Sequence, residues 1–146
     1  SVASTAVSQA KKIFKYQDGI KALVIGAGEM STLTIKHLLK YNFDVILLSR
    51  DIKKAKALAN DIQDEKDEFK NRIEVQPYSN LKSLLNSMRL MITATSAPYP
   101  IITQDMVEAY PNTRHWFDIA VPRDIDNIKY SNLNIYAVDD LQTIID

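Results

Sequence analysis

A chain of 146 residues with zero formal net charge, 46% hydrophobic and 25% charged residues has the size and make-up of one folded domain. It lacks the positive excess with which a domain grips nucleic-acid phosphates, so no direct nucleic-acid contact is expected of it. The absence of cysteine excludes disulfides and a thiolate nucleophile within these residues, the two histidines His37 and His115 offer no zinc-ligand cluster, and no apolar run is long enough to span a membrane or form a signal peptide.

Over residues 2–14, apolar side chains at Ala3, Ala6, Val7, Ala10, Ile13 and Phe14 draw one stripe of an amphipathic helix. A nucleotide-binding fold does not need a helix there, so residues 1–18 are expected to form a connecting helix from an upstream domain. The helical patterns at both ends suggest a domain cut from a longer chain. After the turn Tyr16-Gln17-Asp18-Gly19, the run Ala22-Leu23-Val24-Ile25 predicts a buried parallel strand, and a helix follows from about Glu29 to about Tyr41.

The junction Gly26-Ala27-Gly28-Glu29-Met30-Ser31 spaces its residues as G-x-G-x-x-S, one position short of the dinucleotide fingerprint. Gly26 suits the tight turn and Gly28 leaves room for a pyrophosphate, which the amides at the helix start would attract. Ser31 stands where Gly or Ala is usual. The wheel places it on the sheet-facing side with Thr34, Ile35, Leu38 and Asn42, its hydroxyl able to bond back to helix carbonyls.

A second strand over residues 44–49 ends at Ser49-Arg50, where NAD-binding domains carry an Asp or Glu for the ribose 2′-hydroxyl. A guanidinium in place of a carboxylate favours a 2′-phosphate, hence NADP, with Lys53 or Lys54 able to add charge. Asp51 fits a helix N-cap. A short edge strand at Ile73-Glu74-Val75-Gln76 follows, and Ser79 or Asn80 could cap a short helix bearing Leu81, Leu84 and Leu85.

Leu90-Met91-Ile92-Thr93-Ala94 predicts the fourth strand, and Thr95, Ser96 and Ala97 then fall at the switch point facing the cofactor. Thr103 is expected to cap a short helix holding Met106, Val107 and Tyr110. Residues 115–120 predict a fifth strand and residues 134–138 a sixth, with Asp139 or Asp140 capping a last helix. Alternating strands and helices give an α/β, Rossmann-type doubly wound parallel sheet with helices on both faces, in the order 3-2-1-4-5-6, over residues 19–146. His37 and His115 are expected to be structural, and Asp118 to brace a loop or pair with Arg123. No nucleophile–base–orienter set is present, so no catalytic residue and no metal site is assigned.

Several segments together resemble the NADPH-binding domain of the glutamyl-tRNA reductase family. The residues concerned are the Ser1-Val2-Ala3-Ser4 helix, Leu23-Val24-Ile25-Gly26-Ala27-Gly28-Glu29-Met30, the Thr95-Ser96-Ala97-Pro98 loop, Asp118-Ile119-Ala120-Val121-Pro122-Arg123-Asp124-Ile125-Asp126 and Val138-Asp139-Asp140-Leu141. The resemblance implies a cytoplasmic enzyme of tetrapyrrole (porphyrin) biosynthesis. A cysteine on a separate catalytic domain would take glutamate from glutamyl-tRNA as a thioester, which NADPH reduces to glutamate-1-semialdehyde. It implies homodimerisation through a further C-terminal helical domain, and contact with glutamyl-tRNA through the catalytic domain. It places Gly26 to Ser31 at the pyrophosphate and Ser49 and Arg50 at the 2′-phosphate, with residues 95–97 and Ala120, Val121 and Pro122 nearer the nicotinamide. These residues alone would reduce nothing. A shikimate-dehydrogenase-like NADP domain shares the strand-end Ser-Arg device, and a non-catalytic nucleotide-sensing domain is the reading from another class.

Overall fold

The computed structural model describes residues 1–145. Its frame is a six-stranded sheet in the order β3-β2-β1-β4-β5-β6, every pair parallel, formed by β1 (Lys21–Ile25), β2 (Asp44–Leu48), β3 (Ile73–Val75), β4 (Leu90–Thr93), β5 (Arg114–Asp118) and β6 (Leu133–Ala137). The order is the one expected, and burial explains it. The apolar runs of β1 and β4 and the whole of β5 are shut away from solvent and take the middle, while the half-exposed β3 and β6 take the edges.

Right-handed crossovers then decide which face each connection covers. Moving outward from β1 to β2 and β3 puts α2 (Glu29–Lys40) and α3 (Ile52–Glu65) on one face, with Ile35, Leu38, Ala55 and Ile62 packed on Val24, Leu47 and Ile92. On the same face lie α1 (Val2–Ile13) and α5 (Val138–Ile145). α1 opens on a capping box between Ser1 and Ser4, and its alanines at 3, 6 and 10 are fully buried. Moving back across β1 to β4, β5 and β6 puts the later connections on the opposite face. There, among the described residues, only α4 (Leu81–Leu85) is an α-helix, and Ile102, Ile125 and Ile128 complete the cover from loops.

Three local expectations are corrected. The helix after Thr103 is a single 3₁₀ turn, Gln104–Met106. The groups that would continue it are bonded elsewhere: the Asn86 side chain takes the Glu108 N–H and the Met106 carbonyl, and Arg114 takes the Glu108 carbonyl. Asn42 lies beyond α2, exposed and at φ 67°, so it does not share the face of Ser31. Neither Asp139 nor Asp140 is the N-cap of α5; both lie in its first turn, and Asp140 reaches back to accept the Ala137 N–H at 2.8 Å. Among the described residues, no helix is long and apolar enough to cross a membrane.

Candidate functional site: a cleft at the carboxyl ends of the strands

The cleft grows from the end of β1. Gly26 stands at φ +119°, a conformation that side chains rarely adopt, and a Cβ there would fall 2.7 Å from the Ala94 carbonyl oxygen and 2.9 Å from Ser31 Oγ. Its N–H donates to the Leu48 carbonyl of β2 at 2.8 Å, while Ala94 N–H donates to Ile25 at 2.9 Å, so the turn is clamped between its two neighbouring strands. Gly28 is the N-cap of α2. It offers no side-chain cap, and a Cβ there would meet nothing within 4 Å. Open space therefore lies over the first-turn amides of a 12-residue helix, which leaves those donors facing the cleft.

Around that turn opens a cleft of about 620 Å³ with two unlike walls. On the β2 side stand Ser49, Arg50, Asp51, Lys54 and Tyr78. Asp51 caps α3 by accepting the Lys54 N–H at 3.1 Å, and Ser49 Oγ accepts the Asp51 N–H at 3.2 Å. The Arg50 guanidinium lies 5.1 Å from the centre of the Tyr78 ring. The end of β2 thus presents cations, and the carboxylate next to Arg50 in the chain, Asp51, is held by a helix cap. On the β4 side run Ala94, Thr95, Ser96, Ala97, Pro98, Tyr99 and Ile101.

Of the residues singled out in the sequence, Gly26, Ala27, Gly28, Glu29, Met30, Ser49, Arg50, Lys54, Thr95, Ser96 and Ala97 meet on this cleft. Ser31, Lys53, Ala120, Val121 and Pro122 are not among its lining residues. Ser31 is fully buried against the sheet, as the wheel predicts, but its hydroxyl has no hydrogen-bond partner and does not bond back to the helix. Ala120 is buried behind the loop that follows β5, Val121 is 81% exposed, and Lys53 and Pro122 face solvent.

Behind the β4 wall sit two carboxylates with no exposure, Asp118 and Asp124. Asp118 accepts the N–H groups of Ala120 at 3.1 Å and Ile125 at 2.8 Å and lies 3.6 Å from Arg123, the bracing role expected of it. Asp124 accepts the Thr95 N–H at 2.9 Å and the Thr95 hydroxyl. Burial pushes its carboxyl above the usual range, opposed by the Thr95 bonds and helped by the charge on Asp118. Sequence reasoning missed Tyr78, Tyr99 and the grip of Asp124. Tyr78 reaches Arg50 only through the β2–β3 pairing, which no local pattern signals. Asp124 stood inside the quoted nine-residue segment, but between Arg123 and Ile125 and two residues from Asp126 no local pattern set it apart from a solvated acid.

The histidines lie elsewhere. His37 is half-buried on α2, its pKa lowered by partial burial and by Lys40. His115 is 9% exposed on β5, 3.0 Å from the Tyr136 hydroxyl and edge-on to Phe14, and burial lowers its pKa.

A glycine turn at a helix N-terminus, set at the switch point of a doubly wound parallel sheet, defines a Rossmann-type domain. The model of the shikimate / quinate 5-dehydrogenase family matches residues 8–144, and the chain belongs to that family. More particularly, it is similar to glutamyl-tRNA reductases, at 56% identity to that of Aliarcobacter butzleri, covering 99% of this chain and 32% of the relative. Identity is 46% to the glutamyl-tRNA reductase of a Nitratiruptor species, again over 99% of this chain and 32% of the relative. The resemblance drawn from the sequence is therefore borne out along the whole chain, which spans about a third of the length of these curated relatives. In fold, it matches the nucleotide-binding domain of glutamyl-tRNA reductase from Thermoplasma volcanium, with a TM-score of 0.69 at 21% identity over 99% of this chain and 90% of that one. It also matches a shikimate dehydrogenase solved in complex with NADP⁺, with a TM-score of 0.67 at 16% identity over 97% of this chain and 51% of that one.

Proposed function

We propose that this chain is the NADPH-binding domain of a glutamyl-tRNA reductase, and that it holds the dinucleotide across the cleft for reduction of a glutamyl thioester. The observation that carries the reading is the pairing of an open glycine turn at the start of α2 with Arg50 and Lys54 at the end of β2. The turn and the helix start supply unpaired amides for the pyrophosphate, and Arg50 supplies a fork of donors for the adenosine 2′-phosphate. When bound, the cofactor supplies hydride. What this chain contributes is binding and orientation. The thiol that receives glutamate lies outside these residues, because they contain no cysteine.

On this reading residues 1–18 join the domain to a catalytic domain, glutamyl-tRNA is met by that domain, and the whole protein is a cytoplasmic homodimer. NADPH and NADH titrated by fluorescence or calorimetry test the proposal. NADPH is expected to bind more tightly, and Arg50→Ala to cut that preference by about 10- to 100-fold, the worth of hydrogen bonds to charged groups. Equal affinities in the wild type would reject the NADPH assignment. Residues 1–146 alone are expected to bind NADPH and to release no glutamate-1-semialdehyde from glutamyl-tRNA.

A further inference from the structure

The β4 wall of the cleft is an irregular segment, residues 95–101, that crosses open surface with Ser96, Pro98 and Tyr99 exposed. A segment of that kind takes a defined shape only where its ends are held. Here both ends are held by one residue. At the near end, the Asp124 carboxylate accepts the Thr95 N–H at 2.9 Å and the Thr95 hydroxyl. At the far end, the Asp124 carbonyl accepts the N–H groups of Ile101 at 2.7 Å and Ile102 at 3.0 Å. Thr95 Oγ1 also accepts the Ala97 N–H at 3.2 Å, so the grip of Asp124 passes through the hydroxyl into the next turn of the wall.

Asp124 is itself fixed. The neighbouring Ile125 N–H donates to Asp118 at the end of β5, Ile125 bridges Ile102, and Asp126 N–H donates to the Ile102 carbonyl at 2.9 Å. A continuous path runs from the end of β5 through Asp118 and Asp124 to the cleft wall. Its hydrogen bonds run to Thr95, Ile101 and Ile102, and among the described residues none goes to Arg50, Lys54 or Tyr78 of the β2 wall. Given the order β2-β1-β4, a dinucleotide with its adenosine phosphate at Arg50 and its pyrophosphate at the glycine turn lays its other half against residues 95–101.

We propose that Asp124 is a positioning residue for the nicotinamide half of the bound dinucleotide, acting through the shape it gives residues 95–101. The proposal rests on the reading of the cleft as a dinucleotide site. It makes a demand that a general stabilising role does not. Loosening the β4 wall weakens a ligand that reaches it and spares one that stops at the glycine turn.

The test compares NADPH with adenosine 2′,5′-bisphosphate by calorimetry, on the wild type, Asp124→Asn and Thr95→Val, with a thermal melt of each. Asparagine keeps the size of Asp124 but turns one acceptor oxygen into a donor, so it cannot accept both Thr95 bonds. Valine keeps the shape of Thr95 and deletes only the hydroxyl. NADPH affinity is expected to fall about tenfold in Asp124→Asn and about threefold in Thr95→Val, while the affinity for the bisphosphate stays within about twofold in both. Should Asp124→Asn fail to fold, Thr95→Val is read against Thr95→Ser, which drops the methyl group but keeps the hydroxyl that Asp124 holds and is expected to keep the wild-type NADPH affinity; a Thr95→Ser loss equal to that of Thr95→Val would overturn the proposal. Equal losses for the two ligands, or no loss of NADPH affinity in a folded variant, would overturn the proposal. A wild type that binds neither ligand would instead overturn the dinucleotide reading beneath it.

Discussion

Strand β5 buries a charge at each end, Arg114 at its start and Asp118 at its finish, both without exposure. The two are stabilised by different means. Arg114 donates to the Leu85 carbonyl at 3.2 Å, the Asn86 side chain at 2.9 Å and the Glu108 carbonyl at 2.7 Å. The rings of Tyr110, Trp116 and Tyr130 stand 5.6 to 5.8 Å from the guanidinium, and among the described residues it forms no ion pair. Asp118 accepts two loop amides and, with Asp124, holds the chain that walls the cleft. A buried charge in this fold marks a place where irregular backbone has to be held. Topology decides whether that backbone matters to a ligand, because loops at the carboxyl ends of parallel strands meet the switch point and those at the amino ends do not.

Removing the cation at the amino end is the largest perturbation expected. Arg114→Met removes three charge-assisted hydrogen bonds and leaves the buried Leu85 carbonyl without its donor, which should cost about 3–5 kcal/mol and lower the melting temperature by about 10 °C or more. Dinucleotide affinity of the molecules that remain folded should hold. A melt followed by titration below the transition reads both, and an affinity loss in folded protein would erase the distinction between the two ends.

At the cleft end the two glycines separate stability from binding. Gly26→Ala forces a Cβ to within 2.7 Å of the Ala94 carbonyl oxygen at φ +119°, so roughly 1–3 kcal/mol of stability should be lost to strain as the turn deforms. Gly28→Ala puts its Cβ into open space over the start of α2. That variant should melt like the wild type yet bind dinucleotide at least about tenfold more weakly, because on the proposed reading the methyl group would stand where the pyrophosphate approaches. Matching melts for the two variants would show that the turn is not clamped between β2 and β4.

How far the sequence foretold all this follows the same division. The strand order and the glycine turn were legible because each is written in adjacent residues: apolar runs of strand length, and the spacing of Gly26, Gly28 and the helix behind them. The cations at the end of β2 were legible for the same reason. What was not legible is held by contacts between distant segments. Asn86 and Arg114 dissolve the helix expected after Thr103, Tyr78 reaches Arg50 across a strand pairing, and Asp124 grips Thr95 from 29 residues away. Residues 120–122 share a quoted segment with Asp124, yet it is the buried acid of that segment, not Ala120, Val121 or Pro122, that reaches the cleft wall.

The two ends should also titrate in opposite senses. At the amino end, burial holds the folded pKa of His115 below its ordinary 6.5. Its contribution is therefore complete above that value and is lost as pH falls through the folded pKa. At the cleft end the folded pKa of Asp124 is raised above 3.8, so folded protein binds the proton more tightly, and stability falls as pH rises through that window. Each group can contribute at most about 1.4 kcal/mol per pH unit. Melts across the acid range should show His115→Gln flattening the decline just below 6.5, with His37 left as a residual slope of the same sign, and Asp124→Asn removing the opposing slope at lower pH. A His115→Gln profile that overlays the wild type would show that the ring is not held neutral by burial.

The smallest effect expected is a gain. Ser31 is fully buried, its hydroxyl has no partner, and it does not line the cleft. An unpaired buried hydroxyl costs about 1 kcal/mol or more, against which Ala gives up only a small packing contact. Ser31→Ala should therefore raise the melting temperature by about 3 °C. The same oxygen lies 2.9 Å from where a Gly26 Cβ would be, so Ser31→Ala should also relieve part of the strain of Gly26→Ala. The relief must be incomplete, because the Ala94 carbonyl is backbone and cannot withdraw. A double-mutant cycle between positions 26 and 31 measures that coupling. A coupling of zero would mean that only the β4 backbone enforces the glycine, and a lower melting temperature for Ser31→Ala would mean that the hydroxyl has a partner after all.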